Sequence, residues 1–130
     1  MAYIVSEEGI ITMFKGDRAD LEIALGVVDA AGVPNGEYVM QPGDTLTMTV
    51  RKLPSPESEI EFSVVSDTNV ITILPEHTAN VKPGRYSADI QLTSGDYEST
   101  VFPLLRNLTD KQRSGVVPWN NFILAPEVTN

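Results

Sequence analysis

Apolar and polar residues alternate with a period of two along much of this chain, and that pattern predicts strands with one buried face. In Asp44-Thr45-Leu46-Thr47-Met48-Thr49-Val50-Arg51 the apolar positions Leu46, Met48 and Val50 fall on one side and three threonines on the other. Glu59-Ile60-Glu61-Phe62-Ser63-Val64 repeats the device with Ile60, Phe62 and Val64 inward. Arg85-Tyr86-Ser87-Ala88-Asp89-Ile90-Gln91-Leu92 repeats it again with Tyr86, Ala88, Ile90 and Leu92 inward. Residues 20–25 alternate as well, 70–74 and 100–105 are apolar runs that fit core strands, and 10–14 supplies a further edge.

Between these runs stand turn signals: Gly32-Val33-Pro34-Asn35-Gly36, Gln41-Pro42-Gly43-Asp44, Pro54-Ser55-Pro56, Lys82-Pro83-Gly84 and Ser94-Gly95-Asp96. Glycine admits positive φ, and proline fixes φ while removing a ladder donor. The Ser94-Gly95-Asp96 step is short enough to close a hairpin between 86–92 and 97–102. Pro75-Glu76-His77-Thr78-Ala79-Asn80 has proline where a helix starts and an acid in the first turn, which predicts one helical turn near residues 75–80, crossing between sheets. The spacing leaves about seven short strands, so the expected fold is an all-β sandwich, a single domain over residues 1–130.

A formal charge of -9 repels phosphate backbones and anionic lipid, so neither nucleic acid nor membrane is expected as a partner. The basic residues fall in scattered pairs such as Lys15 with Arg18 and Lys82 with Arg85, with no stripe. There is no cysteine to staple the fold or bind a metal. The N-terminus carries no secretion signal, and no apolar run approaches the roughly 20 residues of a membrane span, so a soluble chain is expected.

Candidate chemistry is sparse. The one histidine, His77, sits in the predicted helical turn and reads as an exposed turn residue in place of a catalytic base. Glu59 with Glu61 and Asp17 with Asp20 read as solvated acids, since nothing apolar brackets either pair to raise a pKa. Phosphate-binding, zinc and calcium motifs are absent from the sequence. The expectation is a chain without catalytic residues, cofactor or metal. Trp119 lies in Val116-Val117-Pro118-Trp119-Asn120-Asn121-Phe122, where it either caps the domain's own core or anchors a neighbour. Val116, Val117, Trp119 and Phe122 are therefore the candidate interface residues. The alternative is a carbohydrate-binding β-sandwich module that uses Trp119.

Gly16-Asp17 before Leu21-Glu22-Ile23, then Pro42-Gly43-Asp44-Thr45-Leu46, then Pro75-Glu76-His77-Thr78, then Gly84-Arg85-Tyr86-Ser87-Ala88-Asp89-Ile90 form an ordered series. It resembles phage and prophage tail or baseplate proteins with an immunoglobulin-like domain, similar to the N-terminal module of the baseplate upper protein family. The likeness runs from about Ile11 to Thr129 and rests on scaffold motifs, so no functional residue carries over. Two departures stand out: Gly16-Asp17-Arg18 replaces Gly-Asp-Thr, and 106–119 reads as an insertion before the last strand. The resemblance implies an immunoglobulin-like sandwich that serves as a non-enzymatic virion component. Its partners would be other phage structural proteins and copies of itself. It would be located in the virion, or in the bacterial cytoplasm when expressed from a prophage.

Overall fold

The computed structural model describes residues 3–5, 9–28, 34–55 and 57–127. It is mostly β, with one large mixed sheet and smaller paired strands. In chain order the strands are β1 (Tyr3–Val5), β2 (Ile11–Phe14), β3 (Ala19–Glu22), β4 (Gly26–Val28), β5 (Pro34–Glu37), β6 (Thr45–Arg51), β7 (Ile60–Ser66) and β8 (Val70–Ile73). After the helical turn α1 (Pro75–Thr78) come β9 (Gly84–Ser94), β10 (Tyr97–Phe102), a 3-10 turn (Leu105–Asn107), α2 (Asp110–Arg113) and β11 (Phe122–Ala125). The large sheet runs β1-β2-β11-β9-β6-β7, with β10 also on β9, while β3 pairs with β8 and β4 with β5. No helix among the described residues is long and apolar enough to cross a membrane.

One buried apolar cluster joins residues of the large sheet and of the β3-β8 pair. Leu46, Met48 and Val50 of β6, Ala88 and Ile90 of β9, and Ile71 and Ile73 of β8 are fully buried in it. Each of these side chains except the alanine stabilises the fold by roughly 1.5–3 kcal/mol relative to exposure. Phe122 joins them, and its ring meets that of Phe62 edge-on at 5.8 Å.

Four hydrogen-bonded devices, two local and two long-range, fix the turns and layers. Tyr86, at the start of β9, donates its hydroxyl proton back to the Lys82 carbonyl, pinning the corner where α1 hands over to the large sheet. Thr78, fully buried in α1, accepts from the Gly16 amide at 3.0 Å. Asp44, buried at the entry to β6, accepts from the Tyr38 hydroxyl and the Gln41 amide. Hydrogen bonds from Ser94, Tyr38 and Gln41 hold its carboxyl below the usual range.

The fourth device closes a gap. β9 has β6 along one side, but two strands share the other: β10 pairs with Ile90 to Ser94, and β11 with Gly84 to Tyr86. Ala88 falls between them. The side-chain amide of buried Asn121 fills its place, accepting from the Ala88 amide at 2.7 Å and donating to the Ala88 carbonyl at 2.9 Å. Residues 103–121 thus leave one sheet edge and return to it further along.

Several sequence expectations change. The described residues form eleven strands, and the additional ones include β1, β4 and β5, whose three or four residues are too few to show alternation. Pro34-Asn35-Gly36 lies in β5 instead of a turn; residues 32 and 33 of that predicted turn are outside the described part. Residues 10–14 do not form an edge, because β2 lies between β1 and β11. The 100–105 run is not a core strand: β10 is an outer strand, and only Val101 and Phe102 pack against the core. Ile60 is 48% exposed. A bulge sets it opposite outward-facing Arg51, while Phe62 stays opposite Val50, so Ile60 leaves the inner face. The helical turn and the Ser94-Tyr97 hairpin form as the sequence indicates, with Gly95 supplying φ of 59°.

Candidate functional site

The alternation that points Leu46, Met48 and Val50 inward points Thr49 and Arg51 outward, and on β9 it does the same for Ser87, Asp89 and Gln91. Antiparallel pairing sets Thr49 opposite Asp89, Arg51 opposite Ser87 and Thr47 opposite Gln91. Thr49, Arg51, Ser87, Asp89 and Gln91 floor a groove of about 360 Å³ on the outer face of the large sheet. One wall is Pro54 and Ser55 of the β6-β7 loop, and Trp119 of the 103–121 excursion also lines it.

Both flanks are braced. Ser58 accepts from Arg51 Nη1 at 2.6 Å through its carbonyl and from the Leu53 amide through its hydroxyl. On the excursion, Thr109 caps α2 reciprocally with Gln112: the Gln112 amide donates to Thr109 Oγ1, and the Thr109 amide to Gln112 Oε1. Gln112 Nε2 also donates to the Pro118 and Trp119 carbonyls, and Trp119 Nε1 donates to the Gln112 carbonyl at 3.3 Å. One glutamine therefore both starts the helical turn and clamps the tryptophan. At the other end Gly115, with φ of 80°, and Val116 donate their amides back to the Gln112 and Lys111 carbonyls, a left-handed helix stop that leaves the next side chain outside the turn.

The electrostatics of the floor are uneven. Ser87 is only 2% exposed although it faces away from the core, and its Oγ is the buried side-chain polar atom with no hydrogen-bond partner among the described residues. Burial raises the proton affinity of Asp89, and the nearby Arg51 guanidinium partly opposes that rise.

The four candidate interface residues part company. Val116 is 70% exposed and Val117 is also on the surface. Trp119 is half-buried beside the groove, held by Gln112. Phe122 has no exposed surface and packs on Phe62, so it belongs to the core and presents nothing to a partner. Its place in β11, with Ile11 and Tyr86 as register partners, sends its side chain inward. His77 is half-buried, not an exposed turn residue: Nδ1 accepts from the Leu74 amide at 2.8 Å, and the ring stacks on Phe62 at 6.1 Å. Asp20 is held below the ordinary carboxylate range by the Thr72 hydroxyl and Arg18, the opposite of what a general acid requires. Among the described residues there is no group of three or more His, Cys, Asp or Glu placed to hold a metal.

The groove's floor escaped sequence reasoning. Its residues look like ordinary outward strand positions, and only the β6-β9 register and the return of the excursion bring them together. The signal that existed was Trp119 after a predicted insertion. No protein-family model matches the chain, and no curated protein or solved structure matches it either.

Proposed function

We propose that this chain is a non-enzymatic structural module of a phage or prophage virion, in the tail or baseplate, built on an immunoglobulin-like sandwich. It acts through contacts with copies of itself and with other virion proteins. The strand arrangement supports the fold part of the reading. β2, β11, β9, β6 and β7 run side by side in the large sheet with a parallel β2-β11 pair, β3 and β8 pair separately and share its buried cluster, and the Tyr86 hydroxyl ties down the corner before β9. The order of scaffold motifs along the sequence supports the virion part.

The observation that carries the assembly role is the excursion 103–121. It is inserted into one sheet edge, braced at both ends of α2, and presents Leu104, Val116 and Val117 to solvent. A rigid loop loses little entropy on docking, which favours association. The seven-residue β7 ends the large sheet at its other edge, where a neighbouring chain can add a strand. Light scattering on the full chain tests this. The wild type is expected at a whole-number multiple of the chain mass, and replacing Val116 and Val117 by aspartate is expected to reduce it with the β dichroism intact. A single-chain mass in the wild type, or an assembly indifferent to these substitutions, overturns the excursion's role. A gene placed away from tail and portal genes counts against the virion assignment.

A further inference from the structure

We propose that the groove formed by Thr49, Arg51, Ser87, Asp89, Gln91 and Trp119 binds a neutral polyhydroxylated ligand, one sugar unit of a saccharide. This goes beyond the assembly reading and stands or falls separately from it. At about 360 Å³ the groove lies at the small end of the roughly 300–1,000 Å³ typical of ligand sites, which suits one compact ring.

The lining selects the chemistry by exclusion. A metal ion needs several anionic or imidazole ligands, and the groove offers one carboxylate. An anion meets Asp89 and a chain of formal charge -9. A cation meets Arg51. A purely apolar molecule would cover six polar side chains and return no hydrogen bonds. An extended peptide finds backbone partners at sheet edges, whereas this groove lies on a sheet face, surfaced by side chains. A sugar ring presents adjacent hydroxyls and an apolar C–H face together. The Asp89 carboxylate accepts from hydroxyl pairs, Arg51 and the Gln91 amide donate to hydroxyl and ring oxygens, and the indole of Trp119 supplies apolar contact.

Two observations point to a ligand over a merely polar sheet face. The Ser87 hydroxyl is buried at the groove without a partner among the described residues, an arrangement that costs stability unless something else completes it. Trp119 is held by Gln112 through two hydrogen bonds, and a third fixes the preceding Pro118 carbonyl, the bracing expected of a pre-organised contact residue.

Trp119 is the chain's one tryptophan, so its fluorescence reports on the groove and on the excursion that borders it. Full-length protein is titrated with D-glucose, D-galactose, N-acetylglucosamine and L-rhamnose, with glycerol as a control for non-specific solvent effects. At least one sugar is expected to give a saturable change with a Kd on the order of 1 mM. Asp89→Asn and Gln91→Ala are each expected to weaken it about tenfold or more, with wild-type dichroism. Non-saturable responses to all four sugars, a glycerol response equal to theirs, or unweakened binding by both variants overturns the proposal. Light scattering of the same variants separates the two readings, since neither substitution touches Val116 or Val117.

Discussion

On its inner face β9 presents Tyr86, Ala88, Ile90 and Leu92 to a core of side chains that are buried almost completely. On its outer face the same strand presents Ser87, Asp89 and Gln91 to a groove bordered by Trp119. Inward, the polar groups are paired: the Tyr86 hydroxyl reaches Lys82, and both backbone groups of Ala88 are taken by Asn121. Outward, a serine hydroxyl is buried without a partner and a carboxyl sits where burial opposes its charge. Both features cost stability and neither improves the packing. Sites that break the rules of folding in this way are where function is expected to sit.

The largest break in that comparison comes from the inner face. Ile90→Ala removes a fully buried side chain from the middle of β9 and is expected to cost about 2–5 kcal/mol. Urea unfolding should show a lower midpoint with an unchanged slope. Its neighbour Gln91→Ala, outward and exposed, should change stability by no more than about 0.5 kcal/mol. Equal effects at the two positions would abolish the distinction between the faces.

A break of comparable size is expected at the seam between β10 and β11. Asn121→Leu keeps the volume but orphans the Ala88 amide and carbonyl between β10 and β11, at roughly 1–3 kcal/mol for each unpaired group. Hydrogen exchange at the Ala88 amide should accelerate more than at Ile90, which has Phe102 of β10 as its register partner on that side and does not depend on Asn121. Unchanged exchange at Ala88 would show that the neighbouring strands close the gap unaided.

Why the seam and the groove were hidden while the core was legible follows from range. Alternation is a property of neighbours, so the inward sets on β6 and β9, the 75–80 helical turn and the Gly95 hairpin can be read locally. Ile60 misled because a bulge is a relation between two strands and leaves no mark in one. Phe122 misled because an apolar residue after a loop looks the same whether its strand faces a partner or joins the centre of a sheet. Asn121 is invisible for a similar reason: a buried asparagine has no sequence signature until the two strands it joins are placed. The groove needed all of these relations together.

The smallest effect has the opposite sign, and it sharpens the comparison most. Asp89 binds its proton more tightly in the folded chain than in the unfolded one, because burial outweighs the attraction of Arg51. The native state therefore holds more protons than the unfolded state across the carboxylate range, and this group's contribution to stability falls as pH rises through it. The remaining lining residues, Thr49, Pro54, Ser55, Ser87, Gln91 and Trp119, do not titrate there. Asp89→Asn removes that loss. The difference in unfolding free energy between variant and wild type is expected to be small near pH 3. It should grow in the variant's favour as pH rises through the carboxylate range, and level off near neutrality. Paired urea titrations at several pH values measure it directly, cancelling the background of the other acids. A variant that gains stability while losing sugar binding would mark Asp89 as a group kept for its ligand. A variant destabilised at neutral pH would instead make the Asp89-Arg51 attraction a structural bond, and the outer face of β9 would then be no less committed to the fold than the inner one.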